Sequence, residues 1–297
     1  MLTRVGAWRR FLPHRKAMPS PQAIDYDIYE TTARYVERRL PNRRPRPHQL
    51  DKLVTELRGR AEASGRPEDW LAALYAQAPG AAEAQQQMDQ HPYGYRDKRS
   101  RVYELIDFND TFVATVLAMN EEQRTHFAAR AKIGCDRACE RMRMAKFSDE
   151  QWMAIVRGLT REIAIFRAAR DRGFDAVMPN RTGDALGVDV QVRDPESGRY
   201  INIDVKTPSS FRHRLEDLVE QGRLTEQELL EADSRSYCIE HNGHDGNSVE
   251  VVLLCILPDK FGEFGNFRLQ NSEPMRQMLN LLIREHGLSD DRYGIYK

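Results

Sequence analysis

The feature that most constrains this chain is a change of hydrophobic period near residue 187. Before it, apolar residues recur every three or four positions. After it, Gly187-Val188-Asp189-Val190-Gln191-Val192 alternates strictly, with Val188, Val190 and Val192 on one face and Asp189 and Gln191 on the other. Tyr200-Ile201-Asn202-Ile203-Asp204-Val205-Lys206 alternates again, with Asn202, Asp204 and Lys206 sharing a face. Between the two lie Asp194-Pro195 and Ser197-Gly198, which are turn residues, so the pair is predicted to be a β-hairpin. Val249 to Leu257 is almost wholly apolar and reads as a strand buried on both faces. The expected fold class is therefore α+β/α/β, a helical N-terminal domain followed by a mixed-sheet C-terminal domain.

The boundary is expected at about residue 148. Ser148-Asp149-Glu150-Gln151 matches a capping box, in which the Ser and Gln side chains satisfy free amides at a helix start. That helix should run to about Arg172 and stop at Gly173. Ile155, Leu159, Ile163 and Phe166 lie on one side of it, with Glu162 on or beside the stripe. Residues 25–147 have helical texture. Helices are predicted from Ala23 to Leu40, Leu50 to Ala63 and Pro67 to Ala78, with a break at Pro41 to Pro47. Pro79 to Arg101 reads as a helix end plus a linker, and Val102 to Lys146 as two or three helices. Residues 1–24 read as a basic flexible arm. Beyond the hairpin, a helical region is predicted from Ser210 to Glu231 and a closing helix from Ser272 to Glu285.

The chemistry sits where the period changes. If the apolar faces of both strands turn inward, Asp189, Asp204 and Lys206 emerge together. Two converging carboxylates make a hard-oxygen site suited to Mg²⁺, and they repel each other without a cation. A lysine on the same face can hold water or neutralise charge developing on a phosphate. An inward-facing Glu162 needs a partner or a metal. The bland reading of the same residues is a solvated hairpin face with Lys206 as a cross-strand partner, and Glu162 paired to an arginine.

From Ser148 to Leu257 the chain resembles the PD-(D/E)XK nuclease superfamily, whose members include restriction endonucleases. The matching residues are Gly187-Val188-Asp189, the Asp204-Val205-Lys206 triplet and Glu162 on the preceding helix; Val188 stands where the family name has proline. The resemblance implies a restriction-endonuclease-like C-terminal domain over residues 148–297. It implies that Asp189 and Asp204 bind Mg²⁺, with Mn²⁺ as a substitute, that Lys206 assists the attacking water and that Glu162 completes the acidic cluster. The Val205 carbonyl is a further expected ligand. The activity implied is hydrolysis of phosphodiester bonds, most readily in DNA, in a setting of restriction or defence. A catalytically silent nucleic-acid-binding or scaffold protein on the same fold is the alternative. Because duplex cleavage often uses two active sites, a homodimer is compatible with this reading.

Charge points the same way without deciding it. The whole chain is neutral, with 45 basic and 45 acidic residues, yet the first 66 residues hold 15 basic against 7 acidic. Arg38, Arg39, Arg43, Arg44 and Arg46 are the candidate phosphate contacts. Tyr93, Tyr95, Arg96, Lys98, Arg99 and Arg101 mix rings with cations as single-strand binders do, though a solvated linker is favoured. Cys135, Cys139 and His126, or Cys238, His241 and His244, could be zinc sets, but buried core cysteines and a loop are favoured. Four cysteines make no disulfide framework, and a cytoplasmic location is expected. The longest apolar run, Val251 to Leu257, is far too short to cross a bilayer. There is no glycine-rich phosphate loop and no Gly-x-Ser-x-Gly elbow, so ATP-driven and acyl-transfer chemistry have no support.

Overall fold

A computed structural model describes residues 27–45, 47–90, 102–243 and 248–294. The basic arm, Arg46, the ring-and-cation segment 93–101 and His244 lie outside the described residues.

The N-terminal region is helical: α1 (Ile28–Arg39), α2 (Pro47–Ser64), α3 (Pro67–Asp89), α4 (Val102–Ala118) and α5 (Glu121–Met142). α3 is the central helix and packs on the other four. Asp27 caps α1 by accepting from the amides of Tyr29 and Glu30. A capping box of Asn120 and Gln123 starts α5. The expected helix end at Ala78 is corrected: α3 runs through Pro79 to Asp89. Pro79 has no amide to donate, a loss of about 3 kcal/mol in a helix interior. Ala78, Ala81, Ala82 and Ala84 are fully buried around it, and their burial against neighbouring helices outweighs that loss.

The capping box at Ser148 starts α6 (Asp149–Asp171). The Gln151 amide donates to Ser148 Oγ at 3.1 Å, and the Ser148 amide to Gln151 Oε1 at 2.8 Å. The chain leaves α6 through Gly173 at φ +87°. Trp152, Val156, Leu159 and Ile163 join the helical core, whereas Ala164, Ile165, Ala168 and Ala169 join the core under the sheet. α6 thus fastens both cores together, and Glu162 sits at the crossover.

After α6 come β1 (Asp175–Val177), α7 (Arg181–Ala185), β2 (Val190–Arg193), β3 (Tyr200–Lys206), α8 (Pro208–Glu220), α9 (Glu226–Arg235), β4 (Tyr237–Asn242) and β5 (Val249–Cys255). α10 (Pro258–Phe261), a small ribbon of β6 (Phe264–Gly265) and β7 (Arg268–Leu269), and α11 (Glu273–His286) complete the order. The main sheet runs β1-β2-β3-β5-β4. β3 and β5 are parallel and the other neighbours antiparallel, so the sheet is mixed. The hairpin forms with Val190 opposite Ile203 and Arg193 opposite Tyr200. α6 and α11 cover one face; α8 and α9 cover the other. β5 is buried on both faces, as its apolar run predicts.

Four local expectations change. Val188 leaves the face of Val190 and Val192 and packs with Val249 and Val251 on the opposite side, because Gly187 at φ +76° turns the chain just before the strand settles. The polar face is also largely covered, with Gln191 and Asn202 buried. The helical region after the hairpin is two helices, parted at Gly222 with φ +67°. All four cysteines are free and buried; Cys238 and His241 lie on β4 rather than in a loop. Among the described residues no helix is long and apolar enough to cross a membrane.

Candidate active site

β3, the middle strand, carries Asp204 and Lys206 to its C-terminal end, where the chain turns into α8 through Thr207. Asp204 is 7% exposed. Lys206 Nζ lies 2.8 Å from Asp204 Oδ1. Asp189, at the entrance to β2, accepts from the Val205 amide at 2.6 Å, and its own amide donates to the Ile203 carbonyl at 2.8 Å. Asp189 is thereby clamped to β3 from both sides. Asp189 and Asp204 perturb each other's ionisation across the hairpin. The hairpin thus brings Asp189, Asp204 and Lys206 together.

Glu162 comes from the middle of α6. It has no hydrogen bond or ion pair among the described residues, so the expected alternative of an arginine partner is absent there. Burial, then Asp184, then Asp204 push its carboxyl up to about 8. Asp189 is raised well above the ordinary carboxylate range by burial first, then by Glu162 and Asp204, against the pull of the Val205 amide and Lys206. Burial also raises Asp204, although Lys206 draws it back. For Lys206 burial works against the charge, but Asp204 and Asp189 outweigh it and hold the ammonium above its usual value. Crowded carboxyls in a poorly solvated site resist ionising all at once.

Sequence reading missed several members of this surround. Asp184 on α7 reaches the group from the solvent side; burial, then Asp204, raises its carboxyl. A cavity of about 280 Å³ is walled by Glu162, Asp184 and Asp189 on one side and by Trp70, Asn109 and Asp110 of the helical region on the other. No periodicity marks Asp184, which lies on a five-residue helix, and the α3 and α4 residues arrive through tertiary packing alone. A second recess of about 470 Å³ meets the first at Asn109, Leu159 and Glu162. Behind the site, buried Glu240 on β4 is bonded by Arg214 and, at 3.0 Å, by Arg223.

Other expected contacts fall elsewhere. Gln191 spends its amide on Asn202 Oδ1 at 2.7 Å and on the Gly294 amide at 3.0 Å, away from the acids. Val205 meets the site through its N–H. Of the arginine group, Arg38 and Arg43 are exposed, Arg39 pairs with Glu56 at 2.7 Å and Arg44 with Glu83 at 2.6 Å.

Comparison with family models, with curated proteins and with solved structures returns no match to this chain.

Among the described residues no three His, Cys, Asp or Glu side chains already converge as a metal-ligand group. Mg²⁺ does not demand such a cage; it keeps several waters and takes one or two carboxylates plus substrate oxygens. Asp189 and Asp204, brought together across the hairpin, offer such a pair of hard donors. The donor set therefore fits a hydrated divalent cation.

Proposed function

We propose that this chain is a metal-dependent nuclease of the PD-(D/E)XK type, restriction-endonuclease-like in its C-terminal half, that hydrolyses phosphodiester bonds in DNA. The carrying observation is half-buried Asp189 and buried Asp204 meeting across the hairpin, with Lys206 Nζ 2.8 Å from Asp204 and, beside them, a Glu162 unpaired among the described residues. Raised carboxyls gathered at a cavity are costly to keep and are characteristic of functional sites. In this reading Asp189 and Asp204 hold Mg²⁺, or Mn²⁺ in its place. The cation would polarise the phosphate and make a bound water more acidic. Lys206, held in its ammonium form, is a donor rather than a base; it orients the water and meets negative charge growing on the phosphate. Glu162, beside the pair, would support the metal or its water shell. Exposed Arg38 and Arg43 would contact phosphates. Restriction or defence is the biological setting proposed.

The absence of a ready three-ligand group among the described residues favours a second reading, a silent nucleic-acid-binding or scaffold protein on the same fold. One experiment separates them. Purified protein is given duplex, single-stranded and branched DNA with Mg²⁺ or Mn²⁺. Metal-dependent cleavage that disappears in both Asp204→Ala and Lys206→Ala supports the nuclease. Cleavage that survives intact in both variants rejects this mechanism. Binding that persists in EDTA, without cleavage under either metal, favours the silent protein.

A further inference from the structure

We propose that the substrate enters this site as an unpaired strand, with one nucleoside lodged between the acidic cluster and the helical region, and that Trp70 and Asn109 position it. The inference rests on the nuclease reading for its chemistry and on the cavity for its selectivity.

The helical region forms a roof over the acids. α4 packs on both α6 and α7, the two helices that carry Glu162 and Asp184. The space beneath the roof is about 280 Å³, just below the roughly 300–1,000 Å³ of pockets that enclose drug-sized ligands. That space takes a nucleoside. A paired duplex is a stiff rod whose bases are locked in the stack, and it cannot place a base in a cavity roofed by α3 and α4. Enzymes that work on such enclosed centres use single strands or turn a nucleotide out of the stack.

The lining suits a base rather than a phosphate. Val113, Ala114 and Leu117 of α4 give it an apolar wall. Trp70, half-buried at the start of α3, offers an indole for stacking, the interaction that holds single strands without regard to sequence. Asn109 Oδ1 is buried with no hydrogen-bond partner among the described residues, a state that costs about 1–3 kcal/mol unless something fills it. A base N–H would do so. Arg58, whose guanidinium lies 3.5 Å from Asp107, is the basic side chain among the lining residues. With the base under the roof, its phosphate would lie toward Asp189, the residue of the proposed metal pair that lines the cavity.

The test uses the full chain and two readouts. The first is Mg²⁺-dependent cleavage of one sequence as single strand, as blunt duplex and as a fork with an unpaired arm. The single strand and the unpaired arm should be cut at least tenfold faster than the blunt duplex. The second is binding of a short oligothymidylate to the Lys206→Ala protein with Ca²⁺ in place of Mg²⁺, followed by tryptophan fluorescence. Trp70→Ala should weaken binding about tenfold or more, raise KM more than it lowers kcat and remove the fluorescence change. Trp70→Phe should restore most of the affinity, and Asn109→Leu should weaken it with the fold intact by circular dichroism. Equal cleavage of blunt duplex and single strand, or unchanged oligothymidylate binding by Trp70→Ala, overturns the proposal. If no nucleic acid is cut while Trp70-dependent strand binding remains, the nuclease reading falls and the pocket stands. If paired duplex is cut without regard to Trp70, the pocket falls and the nuclease stands. Neither cleavage nor binding removes both.

Discussion

The Val205 amide donates to the Asp189 carboxylate at 2.6 Å, across the hairpin from the strand that carries Asp204 and Lys206. One side chain therefore both locks the strand register and, in the proposed mechanism, would hold the cation. The two roles separate by substitution. Asp189→Asn keeps an acceptor for the amide but loses the charge that holds a cation. It should fold normally and lose at least ~10²-fold in metal-dependent cleavage, the scale seen when one electrostatic group is removed from a reaction centre. Asp189→Leu also leaves the Val205 N–H buried and unpaired, and should unfold more easily by about 1–3 kcal/mol. Urea titration of both variants checks this; equal stability of the two would deny the clamp.

Stability should fall as pH rises through the neutral range in metal-free protein. Glu162 titrates at about 8 in the folded chain against an ordinary 4.5. Asp189 and Asp204 are raised too. Below pH about 4.5 both states hold the proton and there is no penalty. Between about 4.5 and 8 the unfolded chain releases a proton that the folded chain keeps, so the unfolded state gains. At about 1.4 kcal/mol per pH unit the loss amounts to a few kcal/mol. Glu162→Gln should flatten the decline and raise Tm most at pH 8. Mg²⁺ should recover stability mainly at the alkaline end, because its ligands must be deprotonated. Melts from pH 5 to 8.5 that run parallel for wild type and Glu162→Gln would count against the buried cluster.

The strands that carry the chemistry are legible in the sequence because one face of each is apolar and the other polar. Val190 and Val192 of β2 and Ile201 and Ile203 of β3 fall as their alternation predicts. The capping box at Ser148 fixes where α6 begins, and with it the angle at which Glu162 enters. Shorter or more polar elements are not legible. β1 is three residues long, and β4 carries Glu240, His241 and Asn242, whose polarity hides a strand that is anchored by β5 and by two arginines. The roof is invisible for another reason. Trp70, Asn109 and Asp110 lie 52 or more residues from Glu162 and meet it only because α6 belongs to both cores.

Gly187 is the hinge that swings Asp189 into place. Its φ of +76° is left-handed, and a Cβ there would stand 3.0 Å from Asn242 Nδ2 and 3.7 Å from Asp204 Oδ2. Asn242 in turn donates to the Leu186 carbonyl at 3.2 Å. Gly187→Ala should cost about 1–2 kcal/mol from the backbone alone, and it should lower cleavage further by pushing Asn242 or Asp204 aside. Chemical denaturation gives the first effect and single-turnover kinetics the second. Wild-type stability in Gly187→Ala would mean that the turn does not need this conformation.

Far from the acids, Gln77 gives a test of the helical core that catalysis does not enter. It is 7% exposed in the middle of α3, and neither atom of its amide has a partner among the described residues. Around it Leu74, Ala76 and Ala78 are fully buried. An amide stripped of water with nothing in return costs more than an apolar side chain of similar size. Gln77→Leu should therefore hold or raise stability, by up to about 1–2 kcal/mol. Gln77→Glu, which asks the same space to take a charge, should lower it. The pair distinguishes an unpaired amide from one that bonds in solution. A Gln77→Leu protein that melts well below wild type would show that the amide does find a partner.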